Sequence, residues 1–250
     1  MSTIPTDAER RQTKLVCIHQ PDFFPWIGFF DKVIRSHIFI ILDHVQFPKT
    51  GGTYCNRVKL LVSGGGQWIT APVARNYEGY RAITEVEFQS GIPWREKMLK
   101  TIASNYSKAP YFKEAVQILE PLIKNPVNNL SSYNTHAILT IAEWLNMPRD
   151  KFVRSSQLSH EGAATELLIS LTRAVGGDTY LCGSGAAGYQ EDALFAAAGV
   201  ELIHREFDPP AYRQLPGRDF IGGLSIIDAF MYCGLSGVRL MLKDVVRSNR

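Results

Sequence analysis

The sequence predicts an α/β protein: a parallel or mixed sheet with Rossmann-like βαβ units and a helical insertion. Three observations lead there. KLVCIH (14–19) and HIFIILDHVQF (37–47) are β-branched, nearly continuous apolar runs, as expected of strands covered on both faces. Between them, Trp26, Ile27, Phe29, Phe30, Val33 and Ile34 mark one face of a helix over 26–36. From 151 to 207, strand-like and helix-like segments alternate again.

Each element has its own local reason. Residues 1–13 are polar and are expected to form a flexible tail, with 14–250 a single α/β domain. The first strand must stop at Gln20, because Pro21 and Pro25 cannot donate to a ladder. Residues 48–66 are rich in loop formers and end in Ser63-Gly64-Gly65-Gly66; 67–73 and 82–88 are expected as strands. From 94 to 146 the pattern is mainly helical, entered through Pro93 and punctuated by Pro110, Pro121 and Pro126. A strand over 151–155 precedes a helix over 163–175 closed by Gly176-Gly177. Then come a strand (179–182), a helix (190–198) ending at Gly199, a strand (200–207) and a helical tail from Ser225.

Composition narrows the function classes. Of 250 residues, 45% are hydrophobic and 20% charged, which excludes a disordered, collagen-like or coiled-coil chain. A net charge of +3 does not indicate nucleic acid. No apolar run approaches the roughly 20 residues of a membrane helix. No signal core precedes Lys14, so a soluble, cytoplasmic protein is expected. Cys17, Cys55, Cys182 and Cys233 form no CxxC and are expected as reduced thiols. The histidines never fall at ligand spacing; no metal and no resident cofactor is expected.

Four constellations can carry chemistry. His19 and Gln20 lie at the end of the first strand, where βα turns of open sheets meet their ligands. An imidazole there can serve as general base or phosphate partner. Asp43, Gln46, Lys49, Tyr54, Asn56 and Arg57 follow the second strand and suit a phosphorylated or sugar-nucleotide ligand. Gly183, Gly185 and Gly188 spell GxGxxG, with Glu206 18 residues beyond the last glycine. Glu191 and Asp192 would repel a pyrophosphate there, so a tight βα turn is expected rather than a dinucleotide site. Last, Asp208–Gln214 holds Tyr212 and Gln214 in proline-rich backbone, and Ser225 with Asp228 reads as a capping box.

The chain resembles the WbqC-like family of bacterial polysaccharide gene clusters. The resemblance rests on IHQPDFFPWIGFFDK (18–32), LDHVQFPK (42–49) with Asn56-Arg57, GGDTYLCGSGAAGY (176–189), PAYRQ (210–214) and FIGGLSIIDAF (220–230). It implies acyl-type (aminoacyl or glycyl) transfer to the amine of an amino sugar or related metabolite, in polysaccharide or secondary-metabolite biosynthesis. His19 is then the expected base, Gln20, Asn56 or backbone N–H groups the oxyanion donors, and Asp43 the group that orients His19 or pairs with a cation. Gln46, Lys49, Asn56, Arg57, Tyr189, Tyr212 and Gln214 are the expected substrate contacts. Lys32 is a further matching position, without an assigned role. His44 stands where the family commonly has an acidic residue, which argues against a paired-carboxylate metal site beside Asp43.

Two other readings stay open. One is ATP-dependent adenylyl or nucleotidyl transfer, or ligation, with Arg154-Ser155-Ser156 on the phosphates. The other is a non-catalytic pathway partner, presenting Phe23, Phe24, Phe29 and Phe30. The expected partner is a small molecule, a nucleotide-linked amino sugar, with self-association open and neither membrane nor nucleic acid indicated.

Overall fold

A computed structural model describes residues 13–183, 191–215, 217 and 219–247. The expected tail therefore falls almost wholly outside the described residues, as do Tyr189 and the GxGxxG turn beyond Gly183. The strands are β1 (Leu15–His19), β2 (Ile38–Ile41), β3 (Arg57–Val62), β4 (Gly65–Thr70), β5 (Phe152–Arg154), β6 (Thr179–Gly183) and β7 (Glu201–Arg205). The α-helices are α1 (Ile27–Arg35), α2 (Trp94–Tyr106), α3 (Phe112–Ile123), α4 (Leu130–Trp144), α5 (Ala164–Ala174), α6 (Asp192–Ala197) and α7 (Ile226–Arg247).

Five strands form one parallel sheet in the order β5-β2-β1-β6-β7. The chain winds outward from β1 to β5 and then returns to the other side of β1, so strand order reverses between β1 and β6. Their ladder is short there. β1 pairs with β6 only at Leu15↔Thr179 and Val16↔Tyr180, whereas β6 and β7 pair along five residues. Beyond Val16 the carboxyl halves of β1 and β6 no longer pair, and a crevice opens between them.

The period-2 alternation of the strands explains both faces of the sheet. Cys17, Phe39, Ile41 and Leu181 enter a large core shared with α1, α7 and the insertion. Val16, Ile18, Ile40, Tyr180 and Cys182 enter a smaller one with Ile169 and Leu171 of α5 and Phe195 of α6. Asp31, fully buried on α1, accepts from Arg35 Nε at 2.8 Å and Arg205 Nε at 3.1 Å, tying α1 to β7. Gly176, at φ 70°, ends α5 by donating to Arg173 O, and Gly177 N donates to Thr172 O.

The segment from 42 to 151 crosses from β2 to β5. Its first part departs from the sequence expectation. β3 lies inside the expected loop, because RVKLLV hides an alternation with Val58 and Leu60 inward. Ser63 (φ 52°) and Gly64 (φ 80°) form its two-residue turn into β4, a left-handed pair suited to hairpin twist. β2 ends at Ile41 rather than Phe47. Residues 82–88 form a short 3₁₀ turn at Ile83–Glu85 and isolated bridges, with Glu85 accepting from Ala82 N at 2.8 Å. The helical stretch is α2, α3 and α4; Pro110 and Pro126 fall between helices as expected, whereas Pro121 lies inside the last turn of α3 and does not break it. The predicted helical tail is α7, interrupted at Gly234 (φ 64°), where the Tyr111 ring stands 2.7 Å from any added Cβ. Among the described residues, no helix is long and apolar enough to cross a membrane.

Candidate functional site

The crevice between β1 and β6 is a cleft with two lobes of about 360 and 680 Å³. It lies at the carboxyl ends of the strands, at the point where strand order reverses, the place where open α/β sheets hold ligands. His19, Asp22, Lys32, Tyr54 and Gly183 line both lobes. Arg205 and Phe207 border the smaller lobe; Gln20, Val45 and Leu168 border the larger.

His19 is the last residue of β1. Its Nδ1 lies 3.1 Å from Gln20 O and 3.7 Å from Asp22 Oδ2, and Phe29 meets the ring edge-on at 5.1 Å. A carbonyl only accepts, so Nδ1 carries the proton and Nε2 keeps its lone pair. The turn that follows is strained and pinned. Phe24 takes a left-handed φ of 45°, and its carbonyl accepts from Ser225 Oγ at 2.7 Å. Asn134 of α4 donates to Pro21 O at 2.8 Å and to Cys55 O at 2.7 Å, joining this turn to the loop that carries Tyr54. Lys32 reaches across from α1. Its amine lies 2.7 Å from where a Cβ on residue 183 would stand, so a side chain there would make the amine shift.

These groups are held away from their ordinary protonation. Burial, and then the Lys32 charge, lower His19 to about 3. Burial pushes Asp22 up to about 7, with Lys32 acting against it. Burial also lowers Lys32, opposed by Cys17, Asp22, Cys182 and Asp31. Near neutral pH the imidazole is therefore neutral and Asp22 is poised between its two forms. Among the described residues, Lys32 forms no ion pair.

The other sequence candidates disperse. Gln20 joins the cleft, accepting from Cys55 Sγ at 3.6 Å. Asp43 is fully buried and braces β2 to the end of β5: it accepts from Arg154 Nε (2.6 Å), Ser155 Oγ (3.1 Å), Ser156 N (2.9 Å) and Ser156 Oγ (3.0 Å). His19 instead has Asp22 as its carboxylate neighbour, and Arg154-Ser155-Ser156 is engaged by Asp43. Gln46 bridges to Ala82. Lys49 is exposed, 5.6 Å from the Tyr77 ring. Asn56 is buried in its own turn, accepting from Thr53 N and donating to Ala71 O. Tyr212 and Gln214 both donate to Asp228 Oδ2, at 2.7 and 2.8 Å, in the interior. That removes Asp228 from the expected capping box: Ser225 N donates to Lys59 O instead.

Arg57 stays near the cleft mouth in a different way. Its guanidinium lies 4.2 Å over the Trp68 ring, Lys59 Nζ lies 5.1 Å from that ring, and Tyr54 meets Trp68 edge-on at 5.4 Å. Tyr54 and Trp68 are exposed. The result is a basic, aromatic shelf on the β3–β4 hairpin, continuous with the cleft through Tyr54.

Sequence reasoning gave no role to Asp22 or Lys32. Two signals were available: a carboxylate three residues after His19 in a proline-bounded turn, and a lysine on the polar edge of an apolar helix. Among the described residues, no group of three or more His, Cys, Asp or Glu could hold a metal ion.

The family model of the WbqC-like proteins matches residues 20–240, which include the turn after β1, α1 and the β6 wall of the cleft, and begin one residue after His19. The chain belongs to the WbqC-like protein family. It is also 29% identical over 223 residues to the "Uncharacterized protein Rv1507c" of Mycobacterium tuberculosis (strain ATCC 25618 / H37Rv), covering 88% of this chain and 94% of that one. No solved structure matches it significantly.

Proposed function

We propose that this WbqC-like protein transfers an acyl or aminoacyl group to the amine of a nucleotide-linked amino sugar bound in the β1–β6 cleft. The observation that carries the reading is the juxtaposition of Asp22, His19 and Lys32, which forms no ion pair among the described residues, in one crevice at the switch point. A cleft that desolvates one carboxylate and one amine fits a substrate bearing the opposite pair, an ammonium and a phosphate. The ammonium finds Asp22. The phosphate finds Lys32 and the amino end of α1, whose first turn borders the smaller lobe at Gly28.

An amine attacks a carbonyl only after losing a proton. Asp22, near neutral in its preference, is matched to receive it, and the neutral Nε2 of His19 is a second acceptor. The amide of Gln20 borders the larger lobe as a donor to the developing oxyanion. The Trp68 shelf with Arg57 and Lys59 suits a nucleobase and its phosphates. The adenylyl reading loses its triphosphate candidate, since Arg154-Ser155-Ser156 holds Asp43.

The test is product analysis. The protein is incubated with UDP- or dTDP-linked amino sugars and either acyl-CoA or an amino acid with ATP. The expected result is an acyl mass gain on the sugar amine, lost in Lys32→Met and in Asp22→Asn. ATP–pyrophosphate exchange driven by an amino acid, with no sugar modified, would overturn the transfer reading in favour of adenylyl transfer.

A further inference from the structure

The strand register and α6 place a thiol, an imidazole and a carboxylate in line, with the thiol at the border of the same cleft. Cys182 and His204 are direct partners in the β6–β7 ladder, so their side chains leave the sheet on one face. Cys182 Sγ lies 3.2 Å from His204 Nδ1. His204 Nε2 lies 3.3 Å from Asp192 Oδ1, on the first residue of α6. Cys182 also borders the smaller lobe, together with His19, Asp22 and Lys32. We propose that Cys182, His204 and Asp192 form a nucleophilic triad that carries the acyl group as a thioester before its transfer.

The roles follow from the contacts. Asp192 accepts the Nε2 proton of His204 and fixes the tautomer that leaves Nδ1 free to take the thiol proton. Burial raises the Cys182 thiol, a backbone hydrogen bond and then the Lys32 amine work against that rise, and Asp192 adds to it, so the resting group is a thiol that needs its base. In the first step His204 removes the S–H proton and the sulfur attacks the carbonyl carbon of an activated donor, a thioester or acyl phosphate. The bond to the donor's leaving group breaks, and that group departs with the electron pair and, where basic enough, the proton from His204. In the second step the sugar amine attacks the Cys182 thioester, the C–S bond breaks, an amide forms, and the proton lost by the amine returns to sulfur. Among the described residues the other three thiols are placed differently: Cys55 contacts Gln20, Cys17 is buried in the large core, and Cys233 packs against that core from α7.

The inference rests on the transfer reading for its acceptor, but its first step can be tested without one. The probe is p-nitrophenyl acetate, with peptide mass mapping of the acetylated residue. The expected result is a burst of one equivalent of p-nitrophenolate and an acetyl group on Cys182, lost in Cys182→Ala. Because Cys182 is buried, His204→Gln is the second variant. His204 is half exposed, so that protein should keep its melting temperature while the burst slows at least tenfold. A second readout is the rate of iodoacetamide labelling at Cys182, which should fall in that variant. Absence of both burst and acetyl-Cys182 in the wild type would overturn the triad, as would sugar acylation that persists in Cys182→Ala. Acetyl-Cys182 with no amino sugar ever acylated would leave the triad standing and overturn the acceptor.

Discussion

At the carboxyl end of β2, Asp43 is fully buried and accepts four hydrogen bonds from Arg154, Ser155 and Ser156. On the neighbouring strand, just past the carboxyl end of β1, Asp22 is only 5% exposed; the imidazole of His19 stands 3.7 Å away, and the Lys32 amine acts on it across the cleft. The two carboxylates differ little in burial and much in satisfaction. Asp43 spends its lone pairs on a brace that holds β5 and β2 together. Asp22 keeps its capacity for something that enters the cleft. Buried polar groups that are fully partnered rigidify a fold, whereas a displaced, under-partnered one beside a cavity marks a working site.

The contrast can be broken at either end. The largest effect is expected at the brace. Asp43→Ala leaves Arg154 and both serines without their acceptor and should cost about 3–5 kcal/mol in urea unfolding. Asp22→Asn should act with the opposite sign. The folded state holds the Asp22 proton up to about 7, well above the usual carboxylate range, so the native carboxylate loses stability as pH rises through that value. Removing the charge should stabilise the protein at pH 8 by up to about 4 kcal/mol, give no gain at pH 4, and abolish turnover. Melting curves at the two pH values check the sign.

Trp68→Ala sharpens the comparison from outside the cleft. It removes a stacking surface from the shelf and should weaken a nucleotide-linked ligand by about 1–3 kcal/mol, read by calorimetric titration. Lys49→Ala should do least. The side chain is exposed, and stability should stay within about 0.5 kcal/mol of wild type.

The sheet was legible because β1, β2 and β6 are continuous apolar runs and α1 carries a one-sided stripe. The cleft was half legible: a strand ending in His19-Gln20-Pro21 marks a βα turn that any parallel sheet presents to ligand. What the chain order concealed was which polar residues find partners. Asp43 and Arg154 are 111 residues apart, so their bond follows from β2 and β5 being neighbours, not from any local pattern. The pairing of Cys182 with His204 likewise depends on parallel register. Asp228 stands at capping-box spacing from Ser225, but burial turns its carboxylate to Tyr212 and Gln214 instead. Charges at the Arg57 and Lys59 positions hid β3, because their inward neighbours alone carry the strand signal.

The most direct measurement is a thermal-shift comparison of wild type and Lys32→Met with a UDP-linked amino sugar. At a hundredfold excess over Kd, a ligand of the folded state contributes about 2.7 kcal/mol, a shift on the order of 5–10 °C for a chain of this length. The account predicts that shift in the wild type and its loss in Lys32→Met, whose own melting temperature should hold or rise once a desolvated amine is removed. An equal shift in both proteins would contradict it, because the phosphate would then bind away from the crevice between β1 and β6.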